Sequence, residues 1–128
     1  MIRVKRAYDP PAAEDGRRVL VDRLWPRGLS KEAARLDAWL RDAAPSDGLR
    51  RWFGHRPERW EEFRRRYREE LAGPEAQAAL RELAAWARDG DVTLLFAAKD
   101  PERNNAVVLR EVLRELAAPR RDSQRGEA

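Results

Sequence analysis

Apolar and polar residues alternate at the start of the chain. Ile2 and Val4 stand against Arg3 and Lys5 in IRVKRAY, which predicts a half-buried strand over residues 2–8. Asp9-Pro10-Pro11 breaks it, and residues 12–16 read as a loop. A second run, Val19-Leu20-Val21, is continuous rather than alternating and leads into Asp22-Arg23-Leu24. Valine-rich runs of this kind fit a strand buried on both faces. Trp25-Pro26-Arg27-Gly28 closes it with a tight turn, since Pro26 lacks an amide hydrogen and Gly28 tolerates positive φ.

The period then changes. Ser30 is a helix cap in front of residues 31–42, with Leu36, Trp39 and Leu40 as the apolar stripe. Pro45-Ser46-Asp47 opens a shorter element carrying Leu49, Trp52 and Phe53, and Gly54 stops it. Over residues 58–71, Trp60, Phe63, Tyr67 and Leu71 recur at three- and four-residue spacing, which predicts an amphipathic helix. Its other face mixes Glu and Arg, with acid-first pairs such as Glu61–Arg65 and Glu62–Arg66. Gly73-Pro74 starts a further helix with Ala76, Leu80, Leu83 and Ala87 inward, and Asp89-Gly90-Asp91 ends it.

The stretch Val92 to Leu116 combines both periods. An apolar strand, 92–97, meets Lys99-Asp100-Pro101 and gives way to a helix with Leu109, Val112, Leu113 and Leu116 on one face. Strand, short polar joint and helix make half of a βαβ unit. The order β, β, several α, β, α predicts a small three-layer α/β domain. Its sheet has three or four mostly parallel strands flanked by helices, with the runs at 19 and 92 as neighbours. The domain is expected to span residues 1–118. Residues 119–128 are poor in apolar side chains and read as a disordered basic tail.

Composition narrows the function classes. There is no cysteine, so disulfides and thiolate chemistry are excluded, and a lone His55 argues against an all-protein zinc site; no metal site is indicated. No cofactor is indicated. No run approaches ~18 uncharged apolar residues, and the N-terminus lacks a signal-peptide core, so no membrane association and a cytoplasmic location are expected. The net charge is +4, but most Arg is interleaved with Glu and Asp, which describes a solvated mixed face as well as it does a nucleic-acid surface.

Four clusters could carry chemistry. In an open parallel sheet, ligands bind outside the carboxyl ends of the strands. Lys99 and Asp100 lie at one such end, Asp22, Arg23 and Arg27 at another. Arg23, Arg27 and Lys99 converging on one rim would hold a phosphate or carboxylate, and Asp22 or Asp100 would move a proton or orient a cation. The plainer alternatives are that Asp100 caps a helix, that Lys99 is a surface lysine, and that Asp22 and Arg23 form salt bridges at a strand end. His55 follows Phe53-Gly54 and is either a cap or hydrogen-bonded surface residue or a catalyst, being the one side-chain type whose unperturbed pKa lies near neutrality. Asn104 and Asn105 either cap the last helix or reach a ligand.

Several stretches resemble the YeaO-like family, small bacterial proteins grouped under a domain of unknown function. They are VDRLWPRG at 21–28, FGH at 53–55 and WEEF at 60–63 with Arg66-Tyr67 and Glu70-Leu71. TLLFAAKD at 93–100 and NNAVVL at 104–109 complete the match, which covers residues 2–117. The resemblance implies a soluble, cytoplasmic, single-domain α/β protein and supplies no reaction. Members often carry His before the Asn pair, where this chain has Arg103. A guanidinium keeps its proton, so anion recognition survives that change and proton transfer does not. The first reading is therefore a small anionic ligand held at the rim, with catalysis left open. The alternatives are a nucleic-acid or regulatory module on the Arg-rich helix, and an interaction domain using some of the tryptophans at 25, 39, 52, 60 and 86.

Overall fold

A computed structural model describes residues 1–117; the expected tail at 119–128 lies outside them. Four strands form one all-parallel sheet: β1 (Ile2–Arg6), β2 (Arg17–Leu20), β3 (Ala38–Trp39) and β4 (Val92–Phe96), in the order β1-β4-β2-β3. The small parallel α/β class and the pairing of the runs at 19 and 92 are as the sequence predicts. Val19 faces Leu94 and Leu20 faces Leu95 across that pair. All five residues of β4 are buried. Its period of two sorts them. Val92, Leu94 and Phe96 join the main core, while Leu95 joins a smaller cluster and Thr93 donates from Oγ1 to the Asp15 carbonyl at 2.8 Å.

The main core lies between the sheet and four helices: α2 (Asp47–Phe53), α3 (Trp60–Leu71), α4 (Pro74–Asp89) and α5 (Asn105–Ala117). Phe63, Tyr67 and Leu71 are the buried face of α3, as their spacing predicts. The other layer is thin. A short helix, α1 (Lys31–Ala34), and the segment after β2 bring Trp25, Leu29, Leu36 and Trp39 over Ala7, Leu20 and Leu95. All five tryptophans are half-buried. Arg17 and Arg41 stack on Trp86 and Trp39, and Arg59 and Arg66 both lie over Trp52.

The predicted helix over 31–42 ends early. Ser30 caps α1, but Arg35 turns left-handed (φ 47°) and the chain becomes the edge strand β3, followed by a 3-10 turn at Arg41–Ala43. The spacing of Leu36, Trp39 and Leu40 suits either state. Pairing decided it: Val19 and Leu20 sit beside Ala38 and Trp39, and the Asp37 and Leu40 amides donate to the Arg18 and Leu20 carbonyls at 2.8 and 2.9 Å. The β2 strand also ends earlier than residue 24, although the Val21 amide still reaches the Leu95 carbonyl at 3.1 Å. On α3, Glu62 pairs with Arg66 at 2.7 Å as predicted; Glu61 takes Arg64 instead of Arg65.

A buried ion pair pins the thin layer. Asp15 and Arg18 are 2% and 4% exposed, so each depends on the other for its charge. Arg18 Nη1 meets Asp15 Oδ2 at 2.6 Å, and Nη2 donates to the Ala34 carbonyl at 2.8 Å. Lys5 Nζ adds a second cation at 3.2 Å. Burial disfavours the Asp15 carboxylate, but the Ala12 amide, Lys5 and Arg18 more than offset that and hold its pKa below the ordinary value. A depressed folded-state pKa contributes stability that is present above the unfolded value of 3.8 and lost as pH falls through the folded one. Urea melts should therefore show stability declining below about pH 4. Arg18→Met should cost up to about 3 kcal/mol at pH 7, because Asp15 is left charged and buried with Lys5 as its one remaining cation. It should cost much less at a pH where Asp15 is protonated.

Candidate functional site

The carboxyl ends of β2 and β4 open into a cavity of about 500 Å³. Its floor is built from backbone that needs partners. The Ala97 amide, just past β4, donates to Asp22 Oδ2 at 2.8 Å. Asn105 Nδ2 donates to Asp22 Oδ1 at 3.1 Å and to the Val21 carbonyl at 2.8 Å. Trp39 Nε1 donates to the Asp22 carbonyl at 2.7 Å. One carboxylate and one amide side chain thus tie together the ends of both central strands and the first turn of α5.

The last helix starts later than its Asp-Pro-Glu grammar predicts. Asn104, not Asp100, is its cap: Oδ1 accepts the Val107 amide at 3.1 Å, and Nδ2 donates to the Asp100 carbonyl at 2.9 Å. Asp100 closes a separate turn, accepting from the Glu102 and Arg103 amides at 2.9 and 3.2 Å. The Glu102 amide is the largest influence holding the Asp100 carboxyl below the ordinary value, although burial pushes the other way. The segment between β4 and this turn is held by Arg6, which donates to the Ala98 and Ala97 carbonyls at 3.0 and 3.2 Å.

Arginines form the walls. Arg23, Arg27, Arg50, Arg51 and Arg103 line the cavity, and Asp22 is the one carboxylate in the lining among the described residues. They are not equivalent. Arg23 donates to the Pro45 and Ala44 carbonyls at 3.2 and 3.3 Å and so anchors a loop. Arg50 and Arg51 share Asp47 at 3.4 and 3.8 Å, and Arg103 meets Asp100 at 3.2 Å, all on exposed or half-exposed groups. Contacts of that kind are worth little in water. Arg27 is exposed and makes no ion pair among the described residues; its carbonyl accepts the Tyr8 hydroxyl at 2.8 Å.

Of the residues singled out from sequence, Asp22, Arg23, Arg27, His55, Asn104 and Asn105 line this one cavity. Lys99 does not; it is exposed, and the lining passes from Ala98 to Arg103. Asp100 also lies outside the lining and touches it through two lining residues, its carboxylate meeting Arg103 and its carbonyl accepting from Asn104. His55 is exposed and left-handed (φ 58°), directly after the left-handed cap Gly54 (φ 52°). Such a backbone state is uncommon outside glycine and clusters at functional sites. Sequence reasoning missed Tyr8, Arg50 and Arg51 as lining residues. The arginines of α2 lie a turn before Phe53-Gly54-His55, so their helix already pointed to the same place.

Burial pushes the Asp22 carboxyl above the ordinary aspartate value; the Ala97 amide, Asn105 and the Arg50 guanidinium pull it back only in part. Tyr67, fully buried below the site, donates to the Ala43 carbonyl, and burial drives its hydroxyl far upward.

Fold and site together define a class: a small parallel α/β domain with an arginine-walled, carboxylate-floored cavity at the carboxyl rim of its sheet. The chain belongs to the YeaO-like family. Residues 1–127 match the family model described as the inactive DUF488-N3 subclade. The chain is 43% identical over 115 residues to the uncharacterised protein YeaO of Escherichia coli, covering 90% of this chain and 98% of that one. It is 44% identical over 112 residues to uncharacterised proteins of Mycobacterium tuberculosis and Mycobacterium bovis, covering 88% of this chain and 92% of each. No solved structure matches it.

Two measurements test the floor. Asn105→Ala should destabilise the fold by about 1–3 kcal/mol in chemical denaturation, since it strips a buried carbonyl and a carboxylate of one donor. Carbon-13 NMR should find Asp22 titrating above its value in the unfolded chain. A raised folded-state pKa means that this group's contribution is greatest at low pH and is lost as pH rises through the folded value, opposite to Asp15.

Proposed function

We propose that this protein binds a small anionic ligand, phosphate- or carboxylate-bearing, in the cavity at the carboxyl ends of β2 and β4. The observation that carries the reading is the charge of the lining: five arginines against one aspartate. Guanidinium groups offer paired donors in a fork that matches both kinds of anion. At least Arg27 has no competing carboxylate among the described residues, and those of Arg50, Arg51 and Arg103 are weakly held. The Arg-rich helix α3 is a poorer anion site. Arg64 and Arg68 are matched by Glu111 and Glu115 across the α3–α5 contact, and Arg65 and Arg66 by Glu62.

Binding without turnover is the role we favour. Asp22 is committed to structural hydrogen bonds, and Arg103 cannot exchange a proton near neutrality. The word "inactive" in the description of the matching subclade agrees with this.

Isothermal titration with inorganic phosphate, at fixed ionic strength, tests the reading. Arg27→Ala and Arg103→Ala should each weaken binding by about tenfold, the loss of one charge-assisted contact. Lys99→Ala should leave it unchanged. Phosphate and simple carboxylates that neither bind nor raise the melting temperature would sink the proposal.

A further inference from the structure

We infer that the ligand is an organic anion with a flat or apolar body, its charged group held at the mouth of the cavity and its body turned inward. This rests on the anion-binding reading above and adds the ligand's class and orientation. Size is the first reason. About 500 Å³ is far more than a bare inorganic anion fills and is typical of sites for larger organic molecules.

The second reason is the order of chemistry with depth. Arg27, Arg50, Arg51 and Arg103 are exposed and stand at the opening. Deeper, the lining turns apolar, with Phe53 and Phe63 only 7% and 2% exposed. At the floor lies the Asp22 carboxylate. A negative group pushed to the floor would meet a like charge in a poorly solvated place. The same group at the mouth meets guanidinium groups whose carboxylate partners, Asp47 and Asp100, lie outside the lining. An anion therefore stays outside, and the space behind it suits something uncharged.

The third reason is apolar surface left in water. Tyr8 and Leu24 are 39% and 56% exposed, and both belong to this cavity. They are two of only four large exposed hydrophobic side chains among the described residues. Scattered single residues of that kind need no explanation, but two beside the same hollow, next to Trp25 and Pro26, form a wall. A flat hydrocarbon body that passes along that wall on its way inward would cover part of it from water.

The test compares inorganic phosphate with phenyl phosphate by isothermal titration on the full chain at one ionic strength. Phenyl phosphate should bind at least about tenfold more tightly, the effect expected for burying a ring of that size. Leu24→Ser, a change at an exposed position, should narrow that difference. Equal affinities for the two ligands, or a difference that Leu24→Ser leaves intact, would overturn this inference and leave anion binding standing. If neither ligand binds, both readings fall together.

Discussion

A parallel sheet leaves the ends of its strands with backbone groups that the ladder no longer satisfies. Here one side chain answers for the two central strands at once. The Asp22 carboxylate accepts the amide beyond β4 and the amide side chain of Asn105, which in turn holds the carbonyl of Val21. Everything at the carboxyl rim depends on that knot. It fixes where α5 begins, how β4 leaves the sheet and what lies at the bottom of the cavity. Its cost is a carboxyl group held in a place that resists its charge, which is why burial raises its pKa.

The arginines divide into two populations by what they meet. Arg6, Arg18 and Arg23 spend their donors on carbonyls of passing loops, and Arg18 is buried doing so. Arg64 and Arg68 bridge two helices through glutamates. These are fastenings, and their charges face little solvent or are matched. The guanidinium groups of Arg27, Arg50, Arg51 and Arg103 have weaker partners or none among the described residues, and all four line one hollow. A net charge of +4 is thus a poor guide to what the protein attracts. The arrangement of a few charges at one rim says more: exposed guanidinium groups at the mouth and one half-buried carboxylate at the base.

Much of this was legible in the sequence. The apolar runs at 2, 19 and 92 became neighbouring strands, and the three- and four-residue spacing of α3 and α4 gave their buried faces, because burial period is a local property of the chain. Asp22, Arg23 and Arg27 are legible as rim residues, since residues just past buried strands share a rim if the strands are parallel; the same reasoning also selects Lys99 and Asp100, which lie outside the lining, and His55 and the Asn pair stand out only as separate candidates. Ser30, Ser46 and Gly54 marked helix ends through chemistry that reaches only a few positions along the chain.

The rest was decided at long range. Residues 35–40 could have been a helix by pattern; a free edge on β2 made them a strand. Asp100-Pro101-Glu102 has every local mark of a helix start, yet α5 waits for Asn104 and Asn105. Asn105 alone reaches across to Val21 and Asp22, contacts 84 and 83 residues distant. Lys99 and Asp100, in the segment before the helix, fall outside the cavity lining, and Arg103 falls within it. Local sequence sets which segments are buried and where a helix is able to begin. Which of the permitted starts is used, and which cations then face one another, depends on hydrogen bonds that exist only after distant segments have met.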